Sequence, residues 1–291
     1  MYTITRNRID IVFDSLDEFE REAAKDYSIS NGEQVHGIFS RDSTNSRVGP
    51  MQWFGTRTAE EAISKIKAGW PEMLEKLRKM MGNEERDLEL VASEAKVRRR
   101  KRHRSDHGDT LDMHRVWSGE LDKAWERPVR EYRMEVTQRH ATLFVDLSAS
   151  WNIPADSLLW RAAAAMKICD LLQRAGRSVE IYVGVAGNAV PQHNVYGAIK
   201  VKDYMQPLNP ERLATMVTAA FYRTYGFMLY CAQPKSVYDS YGPILGSGMP
   251  KVLEDRRDAG ELVVDMRQCF SSDAAEREFK RVRDMLSKEA A

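Results

Sequence analysis

The stretch Ala141-Thr142-Leu143-Phe144-Val145-Asp146-Leu147-Ser148-Ala149-Ser150 decides the fold. Its first five residues form an unbroken apolar and β-branched run, too short for a helix and suited to a strand buried on both faces. Polar and small residues end the run. From Pro154 to Ala175, Leu158, Leu159, Ala162, Ala163, Met166, Cys169 and Leu172 then recur at helical spacing. Gly176 closes that segment, and Val179 to Val185 is a second strand run. Strand, helix, strand is the pattern of a parallel pair joined by a crossover helix. On this helix Leu159, Ala162, Ala163 and Met166 are expected to face the sheet, with Arg161 and Lys167 toward solvent or a partner.

Downstream, Val195 to Tyr204 reads as a third strand, and Asn209-Pro210 opens a helix running to about Phe221. Leu262 to Asp265 is a late strand, and Ser272-Asp273 caps a helix ending near Lys288. Residues 140–291 are therefore expected to be an α/β domain with a mixed, partly parallel sheet. Upstream, Thr3 to Phe13 is strand-like and Asp14-Ser15 caps a helix to about Lys25. Thr58 and Glu61 form a capping box, and Pro71 starts a second helix with Met73, Leu74, Leu77, Met80 and Met81 on one face. Residues 1–95 are expected to be a smaller α+β region, and residues 96–139 a basic segment and connector.

The chain has 291 residues and a formal net charge of +1. That length allows one large or two modest domains, and the charge excludes a globally basic protein while permitting a local patch. No stretch approaches the roughly 20 apolar residues of a membrane span. Met1 to Asp14 lacks the apolar core of a signal peptide, so no membrane is expected and the expected location is the cytoplasm. Cys169, Cys231 and Cys269 lie far apart and read as reduced thiols, not a disulfide framework or zinc site.

The one strongly biased segment is Lys96 to Arg104, with seven Lys or Arg in nine positions: Lys96, Arg98, Arg99, Arg100, Lys101, Arg102 and Arg104. Clustered cations neutralise phosphates, and rings beside them offer stacking platforms for single-stranded nucleic acid. Trp117 is the ring assigned to that role; Trp125, Tyr132 and His103 are also near in sequence. The plainer reading is a solvated loop paired with Asp106, Asp109 and Asp112. His103, His107, Asp109, Asp112 and His114 match no standard zinc spacing and read as a polar loop.

Gly184 and Gly187 follow a strand without the third glycine of a dinucleotide turn, and no phosphate-loop Lys-Ser/Thr pair occurs. No Gly-x-Ser-x-Gly nucleophile elbow is present. Phe221, Tyr222, Tyr225, Phe227 and Tyr230 read first as core, and residues 233–251, marked by Gly242, Gly246 and Gly248 with Pro243 and Pro250, as a long loop. No constellation supports an enzyme.

Four segments in order resemble a family of uncharacterised tailed-phage proteins: FDSLDEFE at 13–20, WFGTRTAEEAISKIKAGWPE at 53–72, RVWSGELDKAW at 115–125, and ATLFVDLSAS continuing to IYVG at 141–184. The resemblance implies a phage or prophage origin, hence a bacterial host cell, and an α/β second half. Asp146-x-Ser148-x-Ser150 also resembles the metal-ion-dependent adhesion site of von Willebrand factor A domains, which implies Mg²⁺ held by Asp146, Ser148 and Ser150. Asp265 could supply a further ligand there, whereas Thr215 and Thr218 fall in a helical pattern and leave the threonine position unfilled. Without a metal, Asp146 and Ser148 would cap the following helix. The expected function is a non-enzymatic phage protein binding single-stranded nucleic acid, with phage transcription or replication proteins as partners. The alternative is a Mg²⁺-dependent protein-binding adaptor of von Willebrand A type.

Overall fold

The structure is a computed structural model describing residues 2–5, 8–27, 55–81, 102–105, 110–128, 140–150, 153–189, 193–206, 209–226, 229, 244–245, 248–266 and 268–290. In chain order the strands are β1 (Tyr2–Thr5), β2 (Arg8–Phe13), β3 (Arg102–Ser105), β4 (Thr110–Leu111), β5 (Trp125–Pro128), β6 (His140–Asp146), β7 (Ser178–Ala189), β8 (His193–Lys202), β9 (Ile244–Leu245) and β10 (Leu262–Met266). The helices are α1 (Leu16–Tyr27), α2 (Ala59–Ala68), α3 (Pro71–Met81), α4 (Met113–Trp117), α5 (Ala155–Arg174), α6 (Pro210–Met216), α7 (Ala219–Phe221), α8 (Lys251–Asp258) and α9 (Ser272–Ala290). A 3-10 turn spans Leu121–Lys123, and a π-helical turn spans Tyr222–Gly226.

The chain is α/β. A seven-stranded sheet runs β1-β2-β8-β7-β6-β10, with β9 pairing β7 off that path. β7, β6 and β10 are mutually parallel, β7 and β8 form an antiparallel hairpin, and β8 is parallel to β2. A separate three-stranded sheet, β3-β5-β4, is antiparallel throughout.

The border expected at residue 96 does not separate two cores. β1 and β2 extend the main sheet, and Ile9, Ile11 and Phe19 share one hydrophobic core with Leu143, Val145 and Leu158. Leu74 and Leu77 of α3 join the same core. A two-stranded hairpin is marginal alone, and pairing β2 along β8 supplies the ladder it lacks.

Local sequence accounts for the helix starts. Ser15 Oγ accepts from Glu18 N at 3.0 Å, and Thr58 Oγ1 accepts from Glu61 N at 3.1 Å. In both boxes the glutamate answers one residue before the cap: Glu18 accepts from Asp14 N and Glu61 from Arg57 N. Asn209 accepts from Arg212 N at 3.0 Å with Pro210 at the first turn of α6. At α9 the capping oxygen is that of Ser271, which accepts from Ala274 N at 3.3 Å, one residue before the expected cap.

α5 is the central helix. Thirteen of its twenty residues are buried, so it is covered all round and not amphipathic. Arg161, expected to face outward, is fully buried. Lys167 is half-buried, its ammonium 4.3 Å from the Phe279 ring of α9.

α8 covers the other face of the sheet, over a small cluster of Phe144, Tyr182, Ala198, Met249, Leu253 and Val263. Phe144 lies across β7 because residue 184 is glycine: a Cβ there would sit 2.6 Å from the ring and 2.4 Å from the Gly197 carbonyl. Gly184 therefore serves close packing.

Candidate functional site

β6 ends at Asp146, beside Gly184 of its parallel neighbour β7. The carboxyl end of parallel strands is where open α/β sheets receive ligands. Here the loop is closed against the protein itself. Asp146 is 4% exposed, its Oδ1 accepts from Ser148 N at 2.8 Å, and the Gln268 amide lies 3.5 Å from its Oδ2. Burial pushes the Asp146 carboxyl up to about 6, against the opposing pull of the Ser148 hydrogen bonds and the Arg161 charge.

Ser148 is fully buried and ties the loop after β6 to β7: its hydroxyl donates to Ala186 O at 3.1 Å and accepts from Ala186 N at 2.8 Å. The Asp146 and Ser148 side chains do not cap α5. That helix starts at Ala155, its cap is Pro154, and no side chain bonds the cap.

Two arginines from opposite directions hold the loop. Arg161 Nη1 donates to the carbonyls of Asp146 and Ser148, at 3.2 and 3.3 Å. From the π-helical turn, Arg223 donates to Ile153 O, and the neighbouring Tyr222 hydroxyl donates to Ala149 O at 2.8 Å. Burial lowers the Arg223 guanidinium to about 10. The carbonyls of Asp146, Ser148, Ala149 and Ile153 are thus tied to side chains of α5 and residues 222–223.

Mg²⁺ requires near-octahedral oxygen ligands, held partly by carboxylate and water. Of the three expected donors, the Asp146 carboxylate is engaged with Ser148, the Ser148 hydroxyl is engaged with Ala186, and Ser150 is half-buried. As arranged they do not fit Mg²⁺, which would have to displace the Ser148–Ala186 bridge. Asp265 pairs across the ladder with Phe144, two positions before Asp146, so the side chain of that region reaching Asp146 is Gln268. Thr215 lies on α6 and Thr218 at the start of α7, their hydroxyls donating to Glu211 O and Thr215 O at 2.7 Å each.

The expected nucleic-acid residues divide differently. Lys96, Arg98, Arg99, Arg100 and Lys101 lie outside the described residues, as do His107 and Asp109. Arg102 and Arg104 sit on β3, so part of the basic run is a strand and not a loop; in the ladder register position 104 lies opposite 126, and 105 opposite 125. Trp117 ends α4 and is 83% exposed. Met113 and Leu121, at 54% and 62%, are exposed in the same unit. Asp112 caps α4 by accepting from His114 N at 3.2 Å, and pairs with Arg115 at 3.7 Å, so this one carboxylate is committed locally, while Asp106 lies outside the described residues.

Of the other singled-out residues, Phe221, Tyr222 and Tyr225 are core, with Phe221 and Tyr225 stacked at 5.1 Å. Cys169 and Cys269 are buried thiols outside any disulfide, both pushed up to about 12 by burial. Trp151, Phe227, Tyr230 and Cys231, with most of 233–251, lie outside the described residues.

Sequence reading missed a buried polar network on the α8 face. Glu180, 3% exposed, pairs with Arg256 at 2.7 Å and Lys200 at 3.4 Å. Arg256 also donates to Thr142 Oγ1 at 2.8 Å and to the Tyr204 hydroxyl, and pairs with Glu261 at 2.8 Å. A second tie joins Arg8 to Asp10 and Glu254, at 2.8 and 2.9 Å. Both sets of bonds fasten a polar helix to a sheet; the Glu180–Arg256–Thr142 set lies toward the amino ends of β6 and β7, where a structural role is the expectation, whereas Arg8 and Asp10 lie level with Asn188 and Ala186 at the carboxyl end of β7. The available signal was a charge inside each strand run, Glu180 and Lys200.

Among the described residues, no helix is long and apolar enough to cross a membrane. No curated protein and no solved structure matches the chain. A family model described as a domain of unknown function (DUF7192) matches residues 2–290. That span runs from β1 to the end of α9, and the chain belongs to this family.

Proposed function

We propose that this is a non-enzymatic protein that binds single-stranded nucleic acid in the cytoplasm of a bacterial host, at DNA opened during phage transcription or replication. The observation that carries the reading is the exposure of Trp117 in the small β unit whose strand β3 carries the end of the basic run. A large ring left in water loses its apolar burial, and an exposed aromatic near clustered cations suits base stacking with phosphate neutralisation. The phage setting rests on the four resembling segments. The Mg²⁺-dependent adaptor reading is weaker, because it asks Ser148 to give up Ala186.

Fluorescence anisotropy with labelled single-stranded and duplex oligonucleotides tests the binding. If about five cations meet phosphates, log affinity falls with log salt at a slope of about −3.5, roughly 100-fold weaker between 50 and 200 mM. Replacing Arg98, Arg99, Arg100, Lys101 and Arg102 together by alanine should remove most of that slope. A shallow slope, with the five-alanine protein binding like the parent, would end the reading.

A further inference from the structure

A cleft of about 70 Å³ lies between the β7–β8 ladder and α6, with Lys202, Gln206, Asn209 and Arg212 as its polar lining and Leu213 and Met216 among its apolar lining. Organic ligands occupy about 300–1,000 Å³, so a cleft of this size suits a small ion or one chemical group. Its polar groups are donors. The Asn209 side-chain oxygen is taken by Arg212 N at 3.0 Å and the Gln206 oxygen by Asp203 N at 3.2 Å, leaving both amide NH₂ groups. Lys202 Nζ donates to Val179 O and Asp203 O, two of its three N–H groups. Arg212 is exposed and makes no ion pair among the described residues. Among the described residues no acidic side chain lines the cleft, and the nearby Asp203 carboxylate is turned to Met205 N and Lys200, at 3.2 and 3.5 Å.

We infer that this cleft is a site for a phosphate-type oxyanion, with Arg212 as its main cation and the Gln206 and Asn209 amides as neutral donors. Two positive charges and two NH₂ groups, with no acceptor facing them among the described residues, disfavour a metal cation and match three or four anionic oxygens. Burial lowers Lys202, so a bound anion would also favour its charged form. The inference does not depend on the basic segment.

Titration calorimetry with inorganic phosphate, against chloride at matched ionic strength, tests it on the full chain. Arg212→Ala should weaken phosphate binding by about tenfold or more, the scale of one charge-assisted contact, with Arg212→Lys recovering part of it. Arg212 is exposed, so folding should be unaffected, and Gln206→Ala gives a second, uncharged readout. If Arg212→Ala also weakens oligonucleotide binding, the phosphate belongs to nucleic acid; if only phosphate binding falls, the ligand is a free phosphate. The five-alanine protein should still bind phosphate, which separates this site from the basic run. No phosphate binding by the parent, or equal binding by parent and Arg212→Ala, would overturn the inference.

Discussion

The loop after β6 and the unit built on β3-β5-β4 are both polar in sequence and read alike as candidate sites. In the structure they are opposites. From Asp146 to Ala149 the side chains are buried, and the carbonyls of Asp146, Ser148, Ala149 and Ile153 accept from Arg161, Tyr222 and Arg223, themselves buried. In the segment joining β4 to β5 Trp117, Met113 and Leu121 face water, and among its described residues Ala124 is buried. A motif at the end of a parallel strand can therefore be spent on holding the fold. An exposed aromatic beside a basic strand contributes little to the fold and remains available for contact.

The contrast is broken most forcefully at Arg161. Arg161→Ala removes the donor to two buried carbonyls and the cation nearest the buried Asp146, so denaturant unfolding should show a loss of about 3–5 kcal/mol. A loss under about 1 kcal/mol would mean that the loop is not clamped and is open to a ligand.

Asp146 sharpens the same point through pH. Its carboxyl stands at about 6 in the fold against an ordinary 3.8, so the folded state holds the proton more tightly. Stability from this group is present below about pH 4, is lost as pH rises toward 6, and is gone above it, about 3 kcal/mol in all. Asp146→Asn cannot ionise, so its melting temperature should gain on the parent as pH rises from 4.5 to 7. With Mg²⁺ added, a stabilisation of the parent that Asp146→Asn loses would instead support the adaptor reading; about 2.7 kcal/mol is the scale at 100-fold excess over Kd.

The smallest effect on folding is expected at Trp117. Trp117→Ala should change stability by no more than about 0.5 kcal/mol, since an exposed side chain loses little on truncation. Its effect on single-stranded oligonucleotide affinity should be about 1–3 kcal/mol with the salt slope unchanged, because stacking is independent of counterion release. Substantial destabilisation with unaltered binding would make Trp117 a structural residue and reverse the comparison.

Much of the fold was legible because it is local. The run 141–145, the helical period of 158–172 and the second run from Val179 identified β6, α5 and β7. Ser15, Thr58 and Asn209 marked helix starts through bonds made within one turn. The donors at Asp146 and Ser148 were also legible as a candidate, but their partners were not: Ala186 and Gln268 are 38 and 122 residues away. Arg161 carried an unused signal. It opens the run Arg-Ala-Ala-Ala-Ala, and a helix with alanines on every side has no wet face for a charge.

By itself the sequence determined the α/β class, the strand–helix–strand unit at 140–189 and the concentration of cations at 96–104. Periodicity, caps and composition act between neighbours in the chain, so they survive without a fold. Only the tertiary structure decided that β2 joins β8, that Glu180 anchors α8 through Arg256, that β3 takes the end of the basic run into a sheet, and that Ser148 faces Ala186. Those outcomes depend on which distant segments bury one another. Burial sets whether a polar group is a solvated ligand or a bonded part of the core, because a polar atom taken from water must find its partner within the protein.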